Sequence, residues 1–289
     1  MGIKSLGNTV ASFDNYTVTT GNDASNATNH GVGTYSKGCI FDFDPGRLTG
    51  YSSNQTIANG TNLAACLDYT DTAAQGLTGG VSISIAAGSF RWSNPGSGSG
   101  GGNFIADGSN QGLITISGNG SPVSLGGDEG LLDSPSLSIE TWMQYNGSGR
   151  DVLVSRYGGS YPNQFNHIVD PNGQFHFNSS GVGCGAGDKP LNAFGNNVWF
   201  HCVWTYTGNL GGPANSGVHR WYTNNVLRGS ESAGTSLMTD NTTGFSIASR
   251  SDDYERLEGR IGTVRLYNKA LSATEIATRW NATKARYGL

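Results

Sequence analysis

Short stretches in which apolar and polar residues alternate, or in which apolar residues run together, recur along this chain. Each is closed off by Gly, Asn or Asp. The first is Cys39-Ile40-Phe41-Asp42-Phe43, and from residue 103 onward they fall at 103–106, 112–116, 136–144, 151–156, 165–169, 174–178, 198–206, 218–223, 244–248 and 259–268. Short strands separated by turn signals predict an all-β sandwich or barrel of antiparallel strands rather than β-α-β units. In Leu137-Ser138-Ile139-Glu140-Thr141-Trp142-Met143, alternation sends Leu137, Ile139, Thr141 and Met143 to one face and Glu140 and Trp142 to the other. A tryptophan on that second face predicts that it too is covered or functional. The run from Trp199 to Trp204 is apolar on both faces, as expected of a strand inside a two-sheet stack. Asn172-Gly173 and Asn224-Asn225 read as hairpin turns, since these residues accept positive φ at low cost.

One segment carries a helical pattern. In Leu271-Ser272-Ala273-Thr274-Glu275-Ile276-Ala277-Thr278-Arg279-Trp280, Ser272 and Glu275 stand at the spacing of a capping box, and Ile276 and Trp280 are placed to pin a short helix on the sandwich. Residues 1–38 are polar, rich in Asn, Thr and Gly, and show no sustained period. They read as an N-terminal arm that orders against a partner, with Phe13, Tyr16 and Val18 as candidate docking residues. Residues 94–102, rich in Gly and Ser, read as a flexible surface loop, which leaves 39–289 as the sandwich.

The run Leu257-Glu258-Gly259-Arg260-Ile261-Gly262-Thr263-Val264-Arg265-Leu266-Tyr267-Asn268 followed by the capped helix resembles the close of laminin-G-like (concanavalin A-like) jelly-roll domains. Leu137–Trp142, the Trp199 and His201 strand ending at Tyr206-Thr207-Gly208, and Trp221-Tyr222-Thr223-Asn224-Asn225 resemble further strands of that family in the order expected. Ile40–Asp44 and Phe104-Ile105-Ala106-Asp107-Gly108 are similar to elements of a subgroup found in tailed-phage virion proteins, as is the ending from Trp280 to Leu289. The resemblance implies a two-sheet jelly roll and a non-enzymatic virion protein, a capsid decoration or a tail fibre. It implies partners among other virion proteins, reached through the arm, contact with host-surface glycans, and assembly as a homo-oligomer.

Composition narrows the classes. Hydrophobic residues at 36% and aromatics at 10% supply a core, so wholesale disorder is excluded. Glycine is 45 of 289 residues, about twice the usual share. A net charge of −4 argues against a nucleic-acid binder, which needs basic surface to displace counterions. No apolar run is long enough for membrane insertion, and the opening residues hold no apolar signal stretch. Production in a host cytoplasm and residence in the virion follow as expectations. Cys39, Cys66, Cys184 and Cys202 form no CxxC pair and read as buried thiols.

Candidate chemistry is sparse. Retaining glucanases on such sandwiches set two carboxylates on one strand face, about 5–5.5 Å apart, and no Glu-x-Asp-x-Glu spacing occurs here. Glu140 stands alone on its strand. Asp252, Asp253, Glu255 and Glu258 are interleaved with Arg250, Arg256 and Arg260 and read as a solvated loop. A polysaccharide-degrading hydrolase is the first alternative; an oligomeric fibre subunit without ligand is the second. His167 and His176 flank the Asn172-Gly173 turn, where they could face each other, yet two imidazoles alone make a poor zinc site and read as partly exposed strand residues. Laminin-G-like domains often hold one Ca²⁺. Here Gly262 stands where many members have an Asp, leaving Asp107, Asp128, Glu129 and Asp133 as candidate calcium ligands. Flat aromatic rings cover the apolar faces of sugars, and Trp92, Tyr157, Tyr161 and Tyr254, in polar surroundings, are the candidate carbohydrate contacts.

Overall fold

Alternation along the strands decides where the core sits, and the pairing order decides what is built on its outside. The computed structural model describes residues 9–13, 16–19, 34–36, 39–67, 82–93, 102–117, 136–146, 149–156, 165–169, 174–179, 189–190, 197–207, 217–232, 245–250, 253–267 and 269–289. Of the expected site residues, Tyr157, Tyr161, Asp128, Glu129 and Asp133 lie outside the described residues, as do Cys184 and the loop 94–101.

In chain order the first strands are β1 (Thr9–Phe13), β2 (Tyr16–Thr19), β3 (Thr34–Ser36), β4 (Cys39–Phe43), β5 (Thr56–Ala58), β6 (Ser82–Ala87), β7 (Ser89–Ser93), β8 (Asn103–Ala106), β9 (Leu113–Ser117) and β10 (Ser136–Tyr145). They continue as β11 (Asp151–Arg156), β12 (Phe165–Val169), β13 (Gln174–Ser179), β14 (Lys189–Pro190), β15 (Trp199–Thr207), β16 (Val218–Thr223), β17 (Val226–Ser232), β18 (Phe245–Ile247) and β19 (Gly259–Tyr267). Helix α1 (Ala273–Thr283) and a 3-10 turn, Lys284–Tyr287, follow.

Two antiparallel sheets form a jelly-roll sandwich. One runs β17-β16-β15-β10-β19-β8-β7-β5, with β4 also paired to β19; the other runs β14-β13-β12-β11-β18-β9-β6. Between them lies one core. Leu137, Ile139 and Met143 of β10, Phe200, Cys202 and Trp204 of β15, and Val264 and Leu266 of β19 meet Leu153, Val154, Val169, Ile83, Ile85, Ile114 and Ile247 from the opposite sheet. Each such side chain contributes about 1.5–3 kcal/mol on leaving water. The expected division of β10 holds, with Glu140 and Trp142 on the other face.

That other face is covered. The capping box forms as the spacing predicts: Ser272 Oγ accepts from the Glu275 N–H, and Glu275 Oε2 accepts from the Ser272 N–H. The helix then lays Ile276 against Val203, Tyr222, Tyr267 and Leu271. Trp142 stacks on Trp280 and on Tyr287, with ring centroids 5.5 Å and 4.1 Å apart, and donates from Nε1 to Thr283 Oγ1. A bulge accommodates the phenol: Thr141 pairs with Val264 but Met143 pairs with Ile261, so Gly262 and Thr263 together oppose Trp142.

Three sequence readings are corrected. The stretch from 44 to 93, loop-rich in sequence and marked by no strand pattern, contains β5, β6 and β7; Ile83 and Ile85, then Phe90 and Trp92, alternate inward, and Gly88 (φ +63°) makes the tight link between β6 and β7. The aperiodic arm holds a small antiparallel sheet of its own, β1-β2-β3, in which Phe13 is the register partner of Tyr16 and Ala11 that of Val18. Short strands of this kind pair through the backbone and need no periodic core face. His167 and His176 do not oppose each other, because the register pairs His167 with Phe177 and His176 with Ile168. Nor is His167 partly exposed: it is buried, as are His201 and His219. Asn224 and Asn225 (φ 49° and 65°) form the hairpin turn expected of them, and it leads into β17.

Candidate functional site

The outer face of the larger sheet carries two polar arrangements, one sealed and one open. The sealed one is centred on Glu140. Ladder pairing sets Val203, Glu140, Arg265 and Asp42 side by side across β15, β10, β19 and β4. Glu140 Oε1 accepts from His201 Nε2 at 3.0 Å and from Arg265 Nη1 at 3.4 Å, and Oε2 accepts from the Tyr267 hydroxyl at 2.6 Å and from Arg279 Nη1 at 3.1 Å. Since a carboxylate only accepts, His201 carries a proton on Nε2. Arg265 also donates from Nε to Asp42 at 3.0 Å, and Arg279 stacks over the Tyr267 ring.

Burial alone pushes the Glu140 carboxyl up, but Arg279 and Arg265, aided by His201, reverse this and hold it well below the usual carboxylate range. Two anions, Glu140 and Asp42, thus face two cations, Arg265 and Arg279, with α1 as a lid. Glu140, Asp42 and His201 have no exposed side-chain surface. Glutamate, histidine and tyrosine are residue types of acid–base catalysis, but no substrate reaches them here. The cluster fastens the helix to the sheet.

The open arrangement begins two rows further along the same face, past the row of Trp142 and His201. Thr56, Arg91, Ile105, Arg260, Gln144 and Trp199 are successive ladder partners across β5, β7, β8, β19, β10 and β15. Partners in a ladder point to the same side, so these side chains form one transverse row. The cover stops short of it. Tyr287 accepts from the Thr263 N–H at 3.2 Å in the neighbouring row, and Arg286 Nη2 donates to the Gly102 carbonyl at 2.7 Å. Trp199, against Tyr287, closes one end of the row, and Thr56 at the other is exposed. Gln144 Nε2 donates to the Asn197 carbonyl, whose own side-chain amide donates to Asn146 Oδ1 at 3.1 Å.

Arg91 pairs with Asp107 through two of its guanidinium nitrogens, Nη2 donating to Oδ2 and Nε lying 3.2 Å from Oδ1. Asp107, in the turn after β8, retains about 39% of its side-chain exposure and Arg91 about 33%. Arg260 is half-buried and, among the described residues, has no hydrogen-bond or ion-pair partner for its guanidinium. Burial and then the charge of Arg91 lower its proton affinity, with Asp107 opposing them. These planar groups suit paired sugar hydroxyls.

The expected carbohydrate contacts separate. Trp92 is 3% exposed, packed in the core beside Tyr51 with Nε1 donating to the Pro45 carbonyl, so the polar residues around it in sequence misrepresent its place in space. Tyr254 is 67% exposed, with Arg250 above its ring. Of the expected calcium ligands, Asp107 has both carboxylate oxygens on Arg91 and does not fit a hard cation. At Gly262 an added Cβ would lie 2.5 Å from the Tyr287 hydroxyl, so a phenol occupies the space a carboxylate side chain would need. Among the described residues no three His, Cys, Asp or Glu side chains converge to hold a metal. Arg91, Arg260 and Gln144 were legible only as scattered polar residues, because their alignment depends on strand order.

A sandwich of this topology, closed by a capped helix over one sheet, defines a jelly-roll domain of the lectin and glucanase type. A laminin-G family model described as Concanavalin A-like lectin/glucanases superfamily matches residues 117–277, more than half of the chain, and the chain belongs to that superfamily. No curated protein sequence matches it. Similar solved structures include domain 4 of AbnA, an extracellular GH43 arabinanase from Geobacillus stearothermophilus in complex with arabinotriose, at 16% identity and TM-score 0.46 over 70% of this chain and 88% of that one. Trypanosoma rangeli sialidase is 12% identical with TM-score 0.49 over 87% of this chain. Botulinum neurotoxin type C, which interacts with two ganglioside molecules, is 12% identical with TM-score 0.47 over 85% of this chain. The chain spans 34% of the sialidase and 51% of the neurotoxin chain.

Proposed function

We propose that this protein is a non-enzymatic component of a tailed-phage particle, a capsid decoration or tail-fibre protein, whose sandwich is turned outward to hold host-surface glycans. The observation that carries the non-catalytic half is the Glu140 cluster. The carboxylate placed centrally on the sheet's outer face is sealed beneath α1 and held by two arginines, a histidine and a tyrosine. What supports glycan contact is the open row two rungs further along the same face, with Arg91, Arg260 and Gln144 on the sheet. The virion setting rests on the likeness of the Phe104–Gly108 element and of the Trp280–Leu289 ending to phage proteins. Within that ending, Trp280, Arg286 and Tyr287 all seat against the sheet or its first strand. The separate β1-β2-β3 sheet supplies a docking element for a capsid or tail partner, and the whole is expected to assemble as a homo-oligomer.

Incubating the purified chain with host capsular and wall polysaccharides tests this reading. Retention of the protein in affinity electrophoresis, with no release of reducing sugar, is the expected outcome; release of reducing ends would establish the hydrolase instead. Deletion of residues 1–38 should abolish incorporation into particles. Binding to no glycan by a stable oligomer that still incorporates would leave the ligand-free fibre subunit.

A further inference from the structure

The open row carries more positive charge than its own carboxylate, Asp107, can match. Arg91 and Arg260 flank Ile105 on adjacent ladder rungs, two strand spacings or about 10 Å apart at the backbone. Ile105 between them is 6% exposed, so the floor is apolar and shields the two charges poorly from each other. Asp107 is taken up by Arg91. Glu258, the next acid along, places its charge near Asp151, whose carboxyl it raises, and the charges that act on Arg260 are those of Arg91 and Asp107. Arg260 is left half-buried on a rigid strand, with amides from Gln144, Asn197 and Asn146 on its far side. A guanidinium in that position presents a planar fork of donors matched to a carboxylate, and partial burial strengthens the pairing.

We infer that Arg260, assisted by Arg91, binds the carboxylate of an acidic sugar, so that the open row is selective for uronate- or sialate-bearing glycans over neutral ones. This rests on the glycan-binding reading above and names the ligand class for that same face. The amide groups of Gln144 and Asn197 would take ring hydroxyls of the same residue.

The test uses the full chain with polygalacturonate, its fully methyl-esterified form, and a sialylated oligosaccharide, titrated by calorimetry at low and moderate salt. The acid form of at least one carboxylate-bearing ligand should bind, with the ester weaker by about ten- to a hundredfold, the worth of one charged hydrogen-bond set. Comparing the uronate and sialate arms identifies which sugar acid is preferred. Arg260→Gln should reproduce the loss on the acid ligand while melting at the wild-type temperature. Asp107→Asn should tighten binding several-fold by removing the competing carboxylate, an effect that loss of a merely structural contact would not produce. Equal binding of acid and ester, unchanged in Arg260→Gln, would overturn this inference and leave a neutral-glycan lectin. Binding of no glycan would overturn both the inference and the reading beneath it.

Discussion

Arg286 and Asp44 join in a two-pronged ion pair, Nη1 to Oδ2 at 2.8 Å and Nη2 to Oδ1 at 2.7 Å, that ties the 3-10 turn to the residue following β4 across 242 positions of sequence. Both side chains are nearly or wholly buried. Arg286→Ala strands the Asp44 carboxylate and should cost about 3–5 kcal/mol of unfolding free energy at pH 7. Arg286→Lys should recover only part of this, since an ammonium cannot match both oxygens. Burial alone would raise the Asp44 carboxyl, but Arg286, Arg47 and the Gly46 N–H bring it to about 2, below its ordinary 3.8. A lowered folded-state value means stability that is complete above about pH 4 and fades as pH falls toward 2, roughly 2 kcal/mol in all. Denaturant unfolding of wild type and Arg286→Ala at pH 7 and pH 2.5 checks this, and an undiminished gap at the lower pH would contradict it.

Asp151 has the opposite sign. Burial is the main cause, the Glu258 N–H opposes it, and the charges of Glu258 and Glu255 add to it, so the carboxyl is raised from 3.8 to about 7. Its folded-state proton contributes stability below about pH 4 that is lost as pH rises toward and past 7. Asp151→Asn keeps an acceptor for that N–H and removes the charge. The variant should be the more stable at pH 8, by an amount on the order of 4 kcal/mol, and show no gain at pH 4. Thermal melts at the two pH values settle it.

Gly262 lacks a positive φ; its constraint is space. A Cβ there would lie 2.5 Å from the Tyr287 hydroxyl and 2.9 Å from its ring. Gly262→Ala should therefore cost about 1–3 kcal/mol through overpacking and loosen the 3-10 turn, which faster proteolysis after Tyr287 would report. Gly262→Asp, restoring the residue common in the family, should be worse still and gain no calcium-dependent shift in melting.

Two aromatics expected to act alike should behave differently. Trp92→Ala opens a core cavity and should cost about 3–5 kcal/mol. Tyr254→Ala should stay within about 0.5 kcal/mol of wild type, because its ring is exposed and touches the core nowhere. Denaturation midpoints of the two variants make the comparison.

Much of the fold could be read from residues alone. Leu137, Ile139 and Met143 alternate against Glu140 and Trp142, and Ser272 stands three before Glu275, so strand face and helix start follow from local spacing. Trp92 misled because the Gly- and Ser-rich residues beyond it dominate the window, while the Phe90 and Trp92 alternation spans too few residues to register. The polar arrangements were not legible for a different reason. Asp42 and Arg265 are 223 residues apart, and Glu140 and Arg279 are 139 apart. Arg91, Ile105 and Arg260 become neighbours only once β7, β8 and β19 take their order in the sheet.

The ionic centre under α1 also acts as a key for the helix. Apolar contacts such as Ile276 on Val203 and Tyr222 tolerate sliding, because one greasy surface resembles another. Arg279 does not: a shift of one turn, about 5.4 Å, would carry Glu275 or Thr283 over Glu140 in its place. The first sets two carboxylates against each other in a dry site, and the second leaves the Glu140 charge short of a partner. Only one seating of the helix satisfies the sheet beneath it, so what the cluster confers is a unique position rather than mere adhesion.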